Sequence, residues 1–210
     1  NSCPLVGASR TFFEDCYFEC TDDALCGTGV YHRCRFTLFS GKPFYSTQGT
    51  GAVFLNCDLH ARTSGRQYLV KAGSPVTMVD CRWTCEYPNL QICWTQDSTD
   101  DQRSYQYGLT QDGRPLLIDS GRSHLTVDMA GKPVLEAFRV EYPDTVVYNL
   151  RNLLGGADGW NPARQTIELP QAPVALRLTH RYARIESGVD TLHLRACKLG
   201  FMQQPDFKDM

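Results

Sequence analysis

A seven-residue pattern built around a cysteine occurs four times between residues 12 and 83. Each copy has an apolar or aromatic residue, a polar residue, the cysteine, another polar residue and a large apolar residue. The four copies are FFEDCYF (12–18), VYHRCRF (30–36), VFLNCDL (53–59) and TMVDCRW (77–83). Their cysteines, Cys16, Cys34, Cys57 and Cys81, are separated by 18, 23 and 24 residues. A period of this length indicates a structural repeat whose equivalent positions stack on one another.

The residues between these copies favour strands over helices. Across residues 10–97, β-branched and aromatic residues alternate with polar ones, and no helical period is present. Each repeat has a second short strand-like segment, such as FYSTQ or YLVKA, with Gly or Pro nearby. Asn-Gly and Asp-Gly hairpin signals are missing from this stretch. The pattern therefore predicts an all-β fold, a right-handed parallel β-helix.

The four repeated cysteines are predicted to be free thiols. A free cysteine behaves as a small, well-buried apolar residue, and stacked layers would place the four about 4.8 Å apart in one buried line. The chain has ten cysteines, and the sequence does not decide whether two further pairs of them form disulfide bonds. These pairs are Cys20 with Cys26 and Cys85 with Cys93.

The repeat pattern stops near residue 97. Residues 1–97 are predicted to be β-helix coils, the C-terminal part of a longer solenoid, and residues 98–163 a β-rich extension that packs on it. Asp112-Gly113 predicts a hairpin within that extension, and NLLGGADGWNPA (152–163) predicts a loop. Residues 164–210 are predicted to be a β segment resembling the start of an immunoglobulin-like module.

Composition excludes several classes of function. A net charge of −2 over 210 residues gives no support for nucleic acid as a partner. No run of 18 apolar residues is present, so the sequence predicts no transmembrane span. The N-terminus lacks the basic and apolar regions of a signal peptide. A mature chain whose signal peptide has been removed fits this absence, and we expect an exported protein that is secreted, periplasmic or at the cell surface. We also expect an N-terminal portion or a second chain fragment to complete the solenoid.

The stretch FFEDCYFECTDDALCG (12–27) resembles F-Y-x-D-C-Y-x-x-G-T-V-D-F-I-F-G of the pectin methylesterases. These enzymes are right-handed β-helix carbohydrate esterases, and the resemblance places Asp23 at their nucleophile. YSTQG (45–49) is similar to I-T-A-Q-G and aligns Gln48 with a residue that faces the site. YLVKAG (68–73) is similar to Y-L-G-R-P-W and aligns Lys71 with the arginine that holds the nucleophile. The family's general acid aligns with Ser2.

A second resemblance covers the tail. YQYGLTQDGRPLLID and VVYNLRNLLGGADGW are similar to C-terminal regions of pectin-lyase-fold proteins from gut Bacteroidetes, found among polysaccharide-utilisation proteins. Together, the two resemblances imply a partner of the polysaccharide type, pectin in particular. They imply a pectinesterase-like enzyme whose site has departed from the family pattern.

The predicted site combines catalytic and substrate-binding residues. Asp23, Asp22 and Lys71 are predicted as catalytic, because an esterase of this type needs an ionised carboxylate, a second acid and an orienting cation. Thr47, Gln48, Trp94 and Trp160 are predicted to bind substrate. Consecutive strand residues point to opposite faces, so Asp22 and Asp23 share a groove only if a turn intervenes.

Other interpretations of the same residues remain open. Asp22 and Asp23 would alternatively cap a corner of the chain through backbone hydrogen bonds. The protein would then be a non-catalytic glycan-binding or structural surface module. His60 and Asp58 flank Leu59 and are predicted to point outward, while Trp83 is predicted to lie in the core. No metal site and no cofactor are predicted.

Overall fold

The computed structural model describes residues 11–23, 29–44, 52–72, 76–97, 104–118, 126–155 and 158–170, with backbone only for 70–72 and 95–97. Sheet 1 contains β1 Phe12–Glu14, β3 Gly29–His32, β5 Ala52–Leu55, β8 Val76–Val79, β11 Ser104–Tyr107 and β14 Thr126–Asp128. Sheet 2 contains β2 Tyr17–Cys20, β4 Arg35–Leu38, β6 Asp58–Ala61, β9 Arg82–Cys85, β12 Thr110–Gln111 and β13 Arg114–Pro115. A third sheet pairs β7 Arg66–Ala72 with β10 Gln91–Asp97, and β15 Arg139–Tyr142 forms a hairpin with β16 Thr145–Tyr148.

The strands of sheets 1 and 2 alternate along the chain, so the protein is built from stacked layers. Each layer has one strand in sheet 1, a corner and one strand in sheet 2. We number the layers by their described residues: layer 1 (11–23), layer 2 (29–44), layer 3 (52–72), layer 4 (76–97) and layer 5 (104–118). Neighbouring layers pair in parallel, and β14 adds a further parallel strand to sheet 1.

One residue at the corner of each layer turns the chain from sheet 1 to sheet 2. This residue has a left-handed backbone, with φ between 51° and 64° in all five layers. The corner residues are Asp15, Arg33, Asn56, Asp80 and Gly108. Asn, Asp and Gly adopt this conformation more readily than other residues, which accounts for four of the five positions.

The residue after each corner points into the interior, and in four layers it is the repeated cysteine. Cys34, Cys57 and Cys81 are completely buried, and Cys16 in layer 1 is half-buried. The Sγ of Cys57 lies 3.4 Å from the Leu55 carbonyl oxygen in its own layer. It also lies 3.3 Å from a carbonyl oxygen of layer 2. The prediction of free thiols is confirmed at all four positions, and the prediction of burial at Cys34, Cys57 and Cys81.

Neither predicted disulfide alternative forms. Cys20 and Cys85 are free thiols, which excludes both the Cys20–Cys26 and the Cys85–Cys93 pairings.

Aromatic rings also stack from layer to layer in the interior. Phe13, Tyr31 and Phe54 stack with ring centroids 5.2 and 4.8 Å apart, and Phe18 stacks on Phe36 at 5.1 Å. In-register parallel pairing produces this arrangement, because it places equivalent side chains one strand spacing apart. Trp83 lies in the core, as predicted.

The outer face of sheet 1 is buried as well. All residues of β3, β5 and β8 are buried, as is usual for parallel strands covered on both sides. A second core contains Val53, Leu55 and Val79 of this face together with Phe138 and Leu150. The cover consists of a 3₁₀ helix at Pro133–Ala137, the β15–β16 hairpin and the short helix α1 at Leu150–Leu154.

Two predictions about the second half of the chain are wrong. Residue 97 does not mark the end of the stack, because β11, β12 and β14 continue sheets 1 and 2. The segment at 152–163 is not wholly loop, since α1 extends to Leu154. The Asp112-Gly113 hairpin is confirmed, with positive φ at both turn residues. Residues 164–170 form no regular element, and the rest of the immunoglobulin-like prediction lies outside the described residues.

The buried thiols generate a direct test of the stack. In the native protein, Cys34, Cys57 and Cys81 should not react with a thiol reagent, because burial excludes it. After denaturation without reductant all three should react, because none is in a disulfide. Mass spectrometry of labelled peptides would follow each site, with half-buried Cys16 as an internal control that labels faster. Rapid native labelling of all three would contradict the layer register.

Candidate functional site

Asp22 and Asp23 both lie in a turn that begins one residue after β2. Asp23 has a φ of 53°, and its amide donates a hydrogen bond to the Lys42 carbonyl oxygen at 3.0 Å. Asp22 is exposed and accepts a 3.1 Å hydrogen bond from the Ser40 hydroxyl. The turn removes the strict alternation of a strand, so the two carboxylates are not forced onto opposite faces.

The predicted partners of Asp23 are only partly described. Lys71 lies in β7, where its backbone is placed and its side chain is not described. The Tyr68 amide of β7 donates a hydrogen bond to the Gly41 carbonyl oxygen at 2.7 Å. This contact places β7 next to the segment that pairs with Asp23. Thr47 and Gln48 lie outside the described residues.

The two tryptophans predicted to bind substrate lie elsewhere. Trp94 is completely buried, and its indole nitrogen donates a 2.9 Å hydrogen bond to the Thr126 hydroxyl. A ring enclosed in the core has no face to offer a sugar, so the prediction for Trp94 is wrong. Trp160 is half-buried and packs against the second core, on the outer face of sheet 1.

A continuous set of outward-pointing side chains lies on sheet 2. We call it the sheet-2 face: Tyr17, Glu19, Arg35, Thr37, Phe39, Asp58, His60, Arg62, Arg82, Thr84 and Glu86. Parallel register arranges these residues in rows across the strands. One row runs from Tyr17 through Arg35 and Asp58 to Arg82, and its neighbour runs from Glu19 to Thr84. Asp58 and His60 are exposed, as predicted.

Polar side chains on the sheet-2 face bind one another between layers. The Tyr17 hydroxyl lies 2.9 Å from the Thr37 hydroxyl and donates a 3.1 Å hydrogen bond to Glu19. The His60 ring nitrogen Nδ1 lies 3.0 Å from the Thr84 hydroxyl. These contacts restrict side-chain motion on an exposed face.

Charged residues on the sheet-2 face pair in the same direction. Arg82 binds Asp58 with 2.6 Å between Nε and Oδ1, and Arg62 binds Glu86 at 2.7 Å. Arg35 differs from these two arginines, since its guanidinium makes no hydrogen bond or ion pair with the residues that the structure describes.

Three large apolar rings are exposed on or beside the sheet-2 face. Tyr17 is 54% exposed, Phe39 41% and Tyr87, next to Glu86, 45%. The Arg62 guanidinium lies 5.4 Å from the centroid of the Phe39 ring, which is cation–π distance. The face therefore combines aromatic surface with hydroxyl, imidazole and guanidinium groups.

A second polar cluster joins the covering hairpin to the stack. Asp80 accepts hydrogen bonds of 2.7 Å from both the Arg139 guanidinium and the Tyr148 hydroxyl. Gly108 leaves room for this carboxylate, because a Cβ at that position would lie 2.4 Å from an Asp80 oxygen. Burial raises the pKa of Tyr148 and its hydrogen bond to Asp80 raises it further, so the hydroxyl remains a donor.

His32 lies at the edge of the same cluster. Its Nδ1 is 2.8 Å from Glu14 Oε1, its ring centroid is 5.4 Å from that of Tyr148, and the imidazole is buried. Burial lowers the pKa of His32, and the Glu14 carboxylate opposes this effect only in part. The neighbouring Arg33 lowers the pKa of His32 as well. Burial therefore favours the neutral form of His32.

No metal centre emerges among the described residues, since none of them form a group of three or more His, Cys, Asp or Glu suited to an ion. The described helices are too short or too polar to cross a membrane. No protein-family model, curated protein or solved structure matches the chain.

Sequence reasoning missed the sheet-2 face as a unit. The alternation of each strand identifies its outward residues one strand at a time, as it did for Asp58 and His60. The rows across strands depend on the register between neighbouring strands. The cysteine has the same position in every repeat, so its position indicates that register. Aligning the four copies on the cysteine would have placed Tyr17, Arg35, Asp58 and Arg82 in one row.

The buried imidazole predicts a pH dependence of folding. The pKa of His32 is lower in the folded state than its ordinary value of 6.5, so the unfolded chain binds more protons in that interval. The free energy of unfolding should therefore fall as pH drops below about 6.5, until the folded-state pKa is passed. Urea unfolding at a series of pH values would measure this slope.

Two variants separate His32 from the other titrating groups. His32→Asn should reduce the slope of the free energy of unfolding between pH 7 and pH 5. His60→Asn, which removes an exposed imidazole from the sheet-2 face, should leave the slope unchanged. Equal slopes for the wild type and for His32→Asn would contradict this account of His32.

Proposed function

We propose that the protein is a polysaccharide-binding module whose ligand lies across the sheet-2 face. We also propose that its parallel sheets belong to a right-handed β-helix, since parallel crossovers are almost always right-handed. The observation that supports binding most strongly is the row arrangement of exposed aromatic and hydrogen-bonding side chains on this face. The esterase-like interpretation has less support, because Trp94, one of its predicted substrate-binding residues, is buried in the core.

The chemistry of the sheet-2 face suits a sugar chain. Tyr17 and Phe39 present apolar ring surface, which fits the C–H face of a pyranose. Thr37, His60 and Arg35 supply donors and acceptors for hydroxyl groups. A polysaccharide repeats along its length, and the face repeats at the strand spacing of about 4.8 Å.

Preorganisation also favours ligand binding at the sheet-2 face. Side chains that are already held by neighbours lose less conformational freedom when a ligand binds, and this raises affinity. The Tyr17–Thr37 and His60–Thr84 hydrogen bonds provide such restraint. Arg35 keeps its donors available for a ligand.

The identity of the glycan and the location of the protein rest on the sequence resemblance. Similarity of residues 12–27 to the pectin methylesterase pattern supports a pectin-type polysaccharide as the ligand. The same resemblance supports an exported protein that is secreted, periplasmic or at the cell surface.

Binding should depend on the exposed rings of the sheet-2 face. Retention on a pectin affinity gel should weaken roughly tenfold for Tyr17→Ala and for Phe39→Ala, a loss of about 1.4 kcal/mol each. Tyr142→Ala removes a ring of similar exposure from the covering hairpin and should bind like the wild type. Unaltered polymer length and esterification in the eluate would fit a module without turnover.

A glycan array extends the same test to other polysaccharides. Binding to a different glycan with the same Tyr17 and Phe39 dependence would change the ligand and retain the face. No binding to any glycan would contradict the proposal and leave a structural role for the module.

Ester cleavage is the second candidate function, and the Asp22–Asp23 turn favours it. The turn meets the geometric condition under which two adjacent carboxylates can share one groove. In this candidate mechanism Asp23 would act as the nucleophile and Asp22 as the acid. Lys71 would be the orienting cation, and Thr47 and Gln48 would contact substrate.

Methanol release from methylesterified pectin tests this second candidate. If Asp23 is a nucleophile, Asp23→Asn should reduce release at least a hundredfold, whereas Asp144→Asn, an exposed turn residue of the hairpin, should have no effect. Equal release from the wild type and Asp23→Asn would remove the esterase function. It would leave glycan binding at the sheet-2 face untouched.

A further inference from the structure

Arg35 lies inside the sheet-2 face, between two neighbouring strands of the same sheet. It belongs to β4, with Tyr17 of β2 directly beside it on one side and Asp58 of β6 directly beside it on the other. Its side chain is exposed. A ligand that crosses the row from Tyr17 to Asp58 therefore passes over Arg35.

Asp58 does not pair with Arg35, although the register places the two residues side by side. Asp58 is also the cross-strand neighbour of Arg82, and its carboxylate binds that arginine at 2.6 Å. Arg82 donates two further hydrogen bonds, to the Asn56 side-chain oxygen at 2.8 Å and to the Asp80 carbonyl oxygen at 3.3 Å. These contacts hold Arg82 beside Asp58, so the Asp58 carboxylate is taken from the opposite side of the row.

The remaining charged side chains of the sheet-2 face are engaged as well. Arg62 binds Glu86 at 2.7 Å, and Glu19 accepts a 3.1 Å hydrogen bond from the Tyr17 hydroxyl. Within the described part of the chain, the Arg35 guanidinium alone among the charged groups of this face has no bonding partner. A guanidinium is permanently charged and carries five N–H donors in a planar fork, and here all five are available to a ligand.

The neighbours of Arg35 supply the other parts of a sugar-binding subsite. The Tyr17 ring, 54% exposed, lies on the adjacent strand at a strand spacing of about 4.8 Å. Thr37 is two residues further along β4 and therefore lies on the same face of the sheet. Its hydroxyl is 2.9 Å from that of Tyr17. An apolar ring, a hydroxyl pair and an unpaired cation thus lie together.

We propose that Arg35 binds an acidic group carried by the sugar chain, so that the ligand of the sheet-2 face is an acidic polysaccharide. The guanidinium fork matches the two oxygens of a carboxylate, and a sulfate ester presents oxygens of the same kind. A neutral chain would offer Arg35 only hydroxyl oxygens, whose hydrogen bonds to it are weaker. This inference rests on the proposed glycan-binding function and adds to it a selection for charge.

The selection should be modest in size, because Arg35 is exposed to water. An ion pair at a solvated surface changes an affinity by about fivefold at most. Salt screens such a contact, so the selection should also shrink when the ionic strength rises. A stacking interaction on Tyr17 would not respond to salt in this way.

Two matched pairs of polysaccharides test the proposal on the full chain. The first pair is polygalacturonate and its fully methylesterified form, and the second is a sulfated galactan and the same galactan without sulfate. Isothermal titration calorimetry gives the dissociation constant for each. The protein should bind the acidic member of one pair about fivefold more tightly than its neutral partner. The pair that shows this preference identifies the acidic group as carboxylate or sulfate.

Three variants assign the preference to Arg35. Arg35→Gln should bind both members of the pair with the affinity that the wild type has for the neutral member. Arg35→Lys keeps the charge without the planar fork and should retain part of the preference. Arg164→Gln removes an exposed arginine next to Ala163, which packs on the second core, and should retain all of it. Native shielding of Cys57 from a thiol reagent checks that each variant folds.

Raising the salt concentration from about 50 to about 500 mM should reduce the preference of the wild type and leave the affinity of Arg35→Gln unchanged. The proposal is overturned if the wild type binds both members of each pair equally, if it prefers the neutral members, or if Arg35→Gln keeps the full preference. In these three cases a binding that still depends on Tyr17 would leave the proposed glycan function standing. Binding of none of the four polysaccharides would overturn both proposals together.

Discussion

In-register parallel pairing between neighbouring layers is the constraint on which the rest of the structure depends. It stacks the buried thiols of Cys34, Cys57 and Cys81 and sets Tyr31 on Phe54 with ring centroids 4.8 Å apart. A shift of one residue in any layer would send each of these side chains to the outer face. The same register forms the rows of the sheet-2 face and makes sheet 1 apolar enough to need a cover.

The sequence predicted the first four layers because the cysteine repeats at the position after each corner. It failed beyond residue 97 because the fifth layer keeps the geometry and changes the residues. Gly108 replaces the polar corner residue there, and Leu109 replaces the cysteine. Backbone conformation and burial are preserved, so the layer stacks although the motif is lost. The prediction that Trp94 binds substrate was wrong because a strand can direct an aromatic side chain into the core as readily as onto a binding surface.

The candidate site was also only partly predictable from the sequence. The sequence made a turn at Asp22–Asp23 the condition for a shared groove, and a turn is present. Side chains that meet across layers come from residues 18 to 24 positions apart in the sequence. The alternation within one strand shows which face a residue lies on, but it does not show which residue of the next layer lies beside it. The sheet-2 face, and the junction of Asp80 with Arg139 and Tyr148, therefore became visible only with the register in place.

Side-chain NMR on the reduced protein tests the central claim, the register of the layers, most directly. The account predicts nuclear Overhauser effects between the rings of Tyr31 and Phe54 and between the Phe54 ring and the Met78 methyl group, because these residues occupy one interior column. It also predicts none between Phe54 and the outward-facing Tyr148. Effects that instead join Phe54 to Tyr148, with none to Tyr31 or Met78, would mean a register shifted by one residue and would contradict the layered fold described above.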